Sequence, residues 1–297
     1  MFSRRHPYLH FMLFFSSIVS VSAIVISLIV VMGIKYSTQD DISDAEEKVG
    51  VVEVKGYIAD PQETIQDIRR YREDKSIKAI VIRIDSPGGG VGPSQEISRE
   101  LQRTLQDKKV IASLGAVAAS GGYYIASAAS GIVANPGTIT GSIGVIMGFT
   151  DIQGLLQKIG VTPVVVKSGE YKDIGSPVRT MTDAERTLLQ TFSDQVHRQF
   201  ITAIAEGRHI EYEKVASVAD GRILTGENAH ELGLVDRLGN LEDAIAWAGE
   251  MGGSTGKVSA VYAKDKKHTF IKRLAESSLH EIMSQLSAYR LFAGYVL

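Results

Sequence analysis

Leu114-Gly115-Ala116-Val117-Ala118-Ala119-Ser120-Gly121-Gly122-Tyr123-Tyr124-Ile125-Ala126 carries the turn from which the fold is read. An apolar strand from Val110 to Leu114 runs into small residues, then Ser120-Gly121-Gly122, then a segment that reads as a buried helix through Ala129. A glycine in a helix interior costs about 1 kcal/mol against alanine. In a first turn it matters less, and the missing Cβ lets another chain approach the unpaired N–H groups. A serine there sits at the positive end of a helix, with donors beside it where an oxyanion could form. The same residues also suit a plain N-cap with two packing glycines, and this stretch by itself leaves both readings open.

Outward from that turn, short continuously apolar strands alternate with helices. Gly50 to Val54 reads as a strand leading to Ile58, and Thr64 to Tyr71 as a helix carrying Ile65, Ile68 and Tyr71. Ala79 to Ile84 is the next strand, ending in Asp85-Ser86-Pro87-Gly88-Gly89-Gly90. Ile97, Leu101 and Leu105 then put a helix over about 93–106. Ile132 to Ala134 begins another strand, turned by Asn135-Pro136-Gly137. The pattern predicts an α/β fold with a mostly parallel β-sheet core and flanking helices. Thr138 to Phe149, glycine-rich and apolar, suits the lining of a groove. Asp151 to Ile159 reads as helix, Pro163 to Val166 as strand and Ser168 to Pro177 as loop. A long helix over Thr182 to Glu206 opens with a Thr182/Glu185 capping box and buries a stripe of Leu188, Leu189, Phe192, Val196, Phe200 and Ile204. A short helix begins within Arg222 to Ala229, another covers Leu241 to Trp247, and Val258 to Tyr262 reads as a late strand.

The chain has 297 residues, a net charge of -2 and no cysteine. Near-neutral charge gives no support to nucleic-acid binding, and the absence of cysteine removes disulfides and thiolate chemistry. The seven histidines form no close ligand set, so no metal and no cofactor is expected. Arg4 and Arg5 precede an uncharged run from Phe11 to Ile34, followed by Lys35 and an acidic stretch from Asp40 to Glu47. At 1.5 Å per residue this run is roughly 36 Å of helix, longer than a signal-peptide core. It predicts an uncleaved transmembrane anchor with the amino end inside and the remainder outside the cytoplasm.

Two glycine-rich loops follow strands, Ser86 to Gly90 and Ser120 to Gly122. The first is neither a Walker motif nor a dinucleotide fingerprint. Close glycine amides after strands suit an oxyanion hole. A serine nucleophile needs a base, and His197, His209 and His230 lie in contexts that read as structural or solvent-facing. Lys172, in the turn-rich run Ser168 to Pro177 after an apolar segment, is a candidate, because a lysine removed from water becomes a general base. It also reads as an ordinary exposed lysine, and no spacing rule brings it to Ser120.

Ser120-Gly121-Gly122-Tyr123-Tyr124, Thr140-Gly141-Ser142-Ile143-Gly144-Val145-Ile146 and the run Ser168 to Pro177 resemble the short, single-module form of the bacterial signal peptide peptidases. The Asp85 to Gly89 loop, Gly226-Glu227-Asn228-Ala229 and Gly233-Leu234-Val235-Asp236 add to the resemblance. It implies a ClpP/crotonase-like fold and a serine endopeptidase with a Ser–Lys dyad. Ser120 would be the nucleophile, Lys172 the base and Ser142 the group that orients it. The backbone N–H of Gly121, with that of Gly89 or Gly88, would receive the oxyanion. The implied organisation is a cytoplasmic amino terminus (1–10), the anchor (11–34), an acidic linker (35–48), the peptidase domain (49–250) and an extension for docking or self-association (251–297). The implied partners are cleaved signal peptides and other unstructured apolar peptides, membrane lipid around the anchor, and further copies of the chain in a homo-oligomeric ring. The implied location is the inner membrane, single-pass, with the catalytic domain on the extracytoplasmic side. A non-catalytic membrane scaffold and an acyl-CoA enzyme of the same fold are the competing expectations.

Overall fold

A computed structural model of the chain describes residues 47–263 continuously, with Tyr8, Ser16, Ser20 and Ile24 before them and the backbone of Gly294 and Tyr295 after them. In order, the first half comprises β1 (Lys48–Lys55), α1 (Gln62–Glu73), β2 (Ile77–Ser86), β3 (Gly89–Gly90), α2 (Val91–Thr104), β4 (Lys109–Ala119), α3 (Gly121–Ala126), β5 (Gly131–Ala134) and β6 (Ile139–Gly141). The second comprises α4 (Gln153–Lys158), α5 (Asp183–Arg208), α6 (Tyr212–Ala216), β7 (Ile223–Thr225), α7 (Gly226–Glu231), β8 (Arg237–Leu238), α8 (Leu241–Met251), β9 (Ser259–Tyr262) and β10 (Gly294–Tyr295).

The main sheet runs β7-β6-β4-β2-β1-β9 and forks at β4. β4 is long enough to pair twice on one side, first with β5 (Leu114↔Ala134) and then, at its end, with β6 (Ala119↔Gly141). The fork splays the sheet where β4 delivers its last residues. Side chains alternate along the central strands as the pleat requires. Val52, Val54, Ile80, Ile82 and Ile84 pack into the core that receives Tyr71, Leu101, Tyr123 and Phe200 from α1, α2, α3 and α5. Val49, Val51, Ala79 and Val81 face Ala244, Ile245 and Ala248 of α8. Both faces are therefore covered, which is why these strands read as unbroken apolar runs.

The expected fold needs two corrections. The sheet is mixed, because β7 pairs antiparallel with β6 (Ile139↔Thr225, Gly141↔Ile223) while the other pairs of this sheet are parallel. The chain reaches Ile223 beside the end of β6, so it can only run back along it. The second correction concerns the membrane. Among the described residues no helix is long and apolar enough to cross one. The 11–34 segment itself lies outside the described residues except for Ser16, Ser20 and Ile24, which are exposed and helical, with the Ser20 hydroxyl donating to the Ser16 carbonyl at 2.9 Å. The expected transmembrane helix, its lipid contact and the single-pass inner-membrane location thus find no helix to carry them among the described residues.

Smaller departures bear on the site. Pro163 to Val166 forms no strand, and Val164 and Val166 are 86% and 95% exposed. The capping box at Thr182/Glu185 is present, but the stripe on α5 is buried only at Val196, Phe200 and Ile204, leaving Leu188 and Phe192 about half exposed. The sequence beyond 263 lies outside the described residues, apart from Gly294 and Tyr295.

Candidate active site

Ser120 is the single residue between β4 and α3, and it is fully buried. Its backbone has φ 54° and ψ -119°, a region that non-glycine residues occupy at a strain of about 1–3 kcal/mol. The surrounding bonds impose it. The Ser120 N–H donates to the Gly141 carbonyl at 2.9 Å, and its carbonyl accepts the Tyr124 N–H at 2.9 Å. The side chain caps nothing, so the N-cap reading fails. Its Oγ is buried without a hydrogen-bond partner, a state that costs about 1–3 kcal/mol and points to a use other than structure.

The second glycine loop lies against this turn. A Cβ built on Gly121 would stand 2.5 Å from Ser94 Oγ and 3.3 Å from the Gly89 nitrogen, so glycine is required for the close approach of the two loops. Ser94 in turn donates to the Gly90 carbonyl at 2.9 Å. The Gly88 N–H is already engaged, donating to Ser86 Oγ at 3.1 Å. Ile58 takes the next two groups, donating its N–H to the Gly88 carbonyl at 3.0 Å and accepting the Gly90 N–H at 2.8 Å. Alternation along an extended strand then turns the N–H and carbonyl of Gly89 to the opposite edge. Along that edge Gly294 and Tyr295 of the same chain pair antiparallel with Gly90 and Gly89.

Ser142 follows the carbonyl that receives the Ser120 N–H, so the two serines are joined through one peptide of β6. Ser142 is 6% exposed, has φ 49°, and donates its N–H to the Arg222 carbonyl at 2.8 Å. Lys172 is placed differently. It sits exposed in a turn closed by its own N–H donating to the Gly169 carbonyl at 3.2 Å, and within one chain the structure does not bring its ammonium to Ser120. None of the described histidines bonds Ser120 either. His230 Nδ1 faces the Val235 carbonyl at 3.1 Å, His209 ends α5 in the left-handed conformation, and His197 Nε2 is buried without a partner.

The residue after Lys172 opens an ion network that sequence reading missed apart from the capping role of Glu185. Arg179 lies between Asp173 and Glu185, with its Nε 2.8 Å from Asp173 Oδ2 and its Nη1 2.9 Å from Glu185 Oε2. The guanidinium, followed by the Thr182 N–H, holds the Glu185 carboxyl down to about 2. Arg179 and then Lys167 hold Asp173 well below the usual carboxylate range. No periodicity marks a pair six residues apart across a turn. Beside this network a surface cavity of about 530 Å³ is lined by Val145, Ile146, Phe149, Met181 and Leu189, which gives the apolar 138–149 segment its groove.

The model of peptidase family S49 matches residues 102–253, spanning the Ser120, Ser142 and Lys172 motifs. A Synechocystis sp. protein described as a protease, slr0021, is 46% identical over 212 residues, covering 71% of this chain and 76% of the relative. An Enterococcus faecium protein described as a signal peptide peptidase, SppA, is 36% identical over 215 residues, 68% of this chain and 62% of its own length. The chloroplastic serine protease SPPA of Arabidopsis thaliana is 36% identical over 258 residues, 84% of this chain and 37% of its own length. These matches set aside both the silent scaffold and the acyl-CoA enzyme. The strained buried serine, the glycine loop against it and the run of similar proteases agree: the chain belongs to peptidase family S49 and is a serine peptidase of the signal peptide peptidase (SppA) family.

Proposed function

We propose that this chain, through its unit over 49–250, hydrolyses extended, unstructured peptides rich in apolar side chains with a Ser–Lys dyad whose lysine comes from a neighbouring copy. The observation that carries it is the buried, unpartnered Ser120 Oγ on a strained strand-to-helix turn, beside the Gly121 and Gly89 amides. Ser120 Oγ attacks the scissile carbonyl carbon while its proton passes to neutral Lys172 Nζ. The N–H of Gly121, with that of Gly89 or Gly88, receives the oxyanion; Ser86 Oγ accepts the Gly88 N–H, and the 294–295 segment pairs along the Gly89 edge. Lys172 then returns the proton to the leaving amine, and water cleaves the acyl-enzyme by the same path. Ser142 hydrogen-bonds the incoming lysine in this reading, which its place next to the carbonyl that fixes the Ser120 backbone supports.

The Gly89 edge supports the substrate class. It pairs with a two-residue extended segment of the chain itself, which is how a strand-like peptide would be held by main-chain bonds. A copy-to-copy dyad is supported by an exposed Lys172 and an exposed apolar stretch just before it. The test is complementation. Ser120→Ala and Lys172→Ala chains are each expected to be inactive on an apolar fluorogenic peptide. Mixed and reassembled, they should recover a substantial fraction of wild-type turnover. Substantial hydrolysis by a folded Lys172→Arg chain would sink the dyad, because guanidinium cannot give up its proton.

A further inference from the structure

Arg179 ties the lysine-bearing turn to the head of α5. Its Nε and Nη2 grip Asp173 Oδ2 and Oδ1 at 2.8 and 2.9 Å. Its Nη1 donates to Glu185 Oε2 at 2.9 Å and to the Thr180 carbonyl at 3.2 Å, and its Nη2 also reaches Glu185 Oε1. Every N–H of the planar fork is thus engaged, in a geometry that an ammonium cannot copy. Asp173 directly follows Lys172. Lys167 closes the other side of the same turn, its Nζ donating to Asp173 Oδ1 at 2.6 Å and to the Glu170 carbonyl at 2.7 Å. The far end of the clasp is firm, because the Glu185 side chain is 4% exposed and accepts the Thr182 N–H at 2.9 Å in the capping box of a 26-residue helix.

We propose that Arg179 is a positioning residue for peptide hydrolysis: through Asp173 it fixes the turn on which Lys172 is presented to Ser120 of a neighbouring copy. The proposal rests on the Ser–Lys reading above. An exposed lysine on a polar turn with no strand beside it samples many arrangements. A base displaced by about 1 Å loses about 100-fold in rate. The clasp removes that freedom before assembly, and it acts on the backbone, leaving Lys172 Nζ free for the serine.

The experiment uses the complementing pair. In the mixed assembly the Ser120→Ala chain donates the lysine and the Lys172→Ala chain donates the serine. Arg179→Met is placed on one chain or the other, with thermal unfolding and assembly size checked for each. Restored kcat should be at least about tenfold lower with the change on the lysine-donating chain than on the serine-donating chain, with KM within about twofold. Arg179→Lys on the lysine donor should not rescue it. Equal losses in both placements, or a loss carried by KM, would overturn the proposal in favour of a purely structural clasp. If the unsubstituted pair fails to complement, the copy-to-copy reading falls instead. The clasp is then judged in the otherwise intact chain, where Arg179→Met must lower kcat at least tenfold at constant KM; an unchanged kcat overturns it.

Discussion

Ser120 shows how much a single residue can carry and how little of it a sequence displays. The Ser-Gly-Gly run after an apolar strand was readable as a donor-rich helix start. The positive φ was not, because it depends on one long-range bond, Gly141 accepting the Ser120 N–H, and on the forked pairing of β4 that places Gly141 there. Gly121 makes the same point from the other side, since its need to be glycine comes from Ser94 and Gly89 across the loop. Gly121→Ala should therefore displace the Gly89 amide or Ser94, lowering kcat about 100- to 1000-fold, the range for losing one oxyanion donor. Its KM should change little. Steady-state kinetics beside a melting curve would check this, and near-wild-type kcat in a folded Gly121→Ala chain would remove the Gly121–Gly89 pair from the oxyanion site. The reading of Lys172 as the base rests only on the motif around it; its own neighbours in sequence are those of any exposed turn.

At the scale of elements, the legible parts are those whose apolar residues are paid back within one chain. β1, β2 and β4 emerge from unbroken runs because the sheet is covered on both faces, and α5 emerges from its capping box and periodicity. Pro163 to Val166 has the composition of a strand and no partner strand among the described residues, so composition misleads there. The head of α5 also carries an acid-sensitive device. Glu185 is depressed from 4.5 to about 2 and Asp173 is lowered from 3.8, both chiefly by Arg179. A depressed folded pKa contributes stability that is complete above the unfolded pKa and disappears as pH falls through the folded one. Melting temperatures should therefore fall as pH drops from about 5 toward 2. Arg179→Met should show a shallower fall over the same window, because its carboxyls titrate nearer their ordinary values. An identical pH slope in both proteins would contradict the assigned cause.

At the scale of the molecule, the exposed apolar residues are distributed unevenly. Ile146, Leu155, Ile159, Val164 and Val166 lie within a span of about twenty residues leading to Lys172, and Leu188 and Phe192 lie on the first turns of α5. Large apolar groups gathered in one part of the sequence and left to solvent mark a surface that is buried elsewhere. On the proposed Ser–Lys reading a second copy is that occupant and also completes the chemistry, since Ser120 lacks a partner and Lys172 lacks a site within one chain. Activity should then depend on association. Phe192 is 47% exposed, so Phe192→Asp should leave the folded chain intact while placing a charge in the contact. The expected result is a chain with an unchanged melting temperature, a lower sedimentation coefficient than wild type, and turnover reduced about 100-fold or more, the scale of losing a general base. Wild-type specific activity should likewise fall on dilution through the association range. A Phe192→Asp protein that sediments as a monomer yet retains wild-type turnover would show that Lys172 reaches Ser120 within its own chain, through a rearrangement of the 161–176 segment.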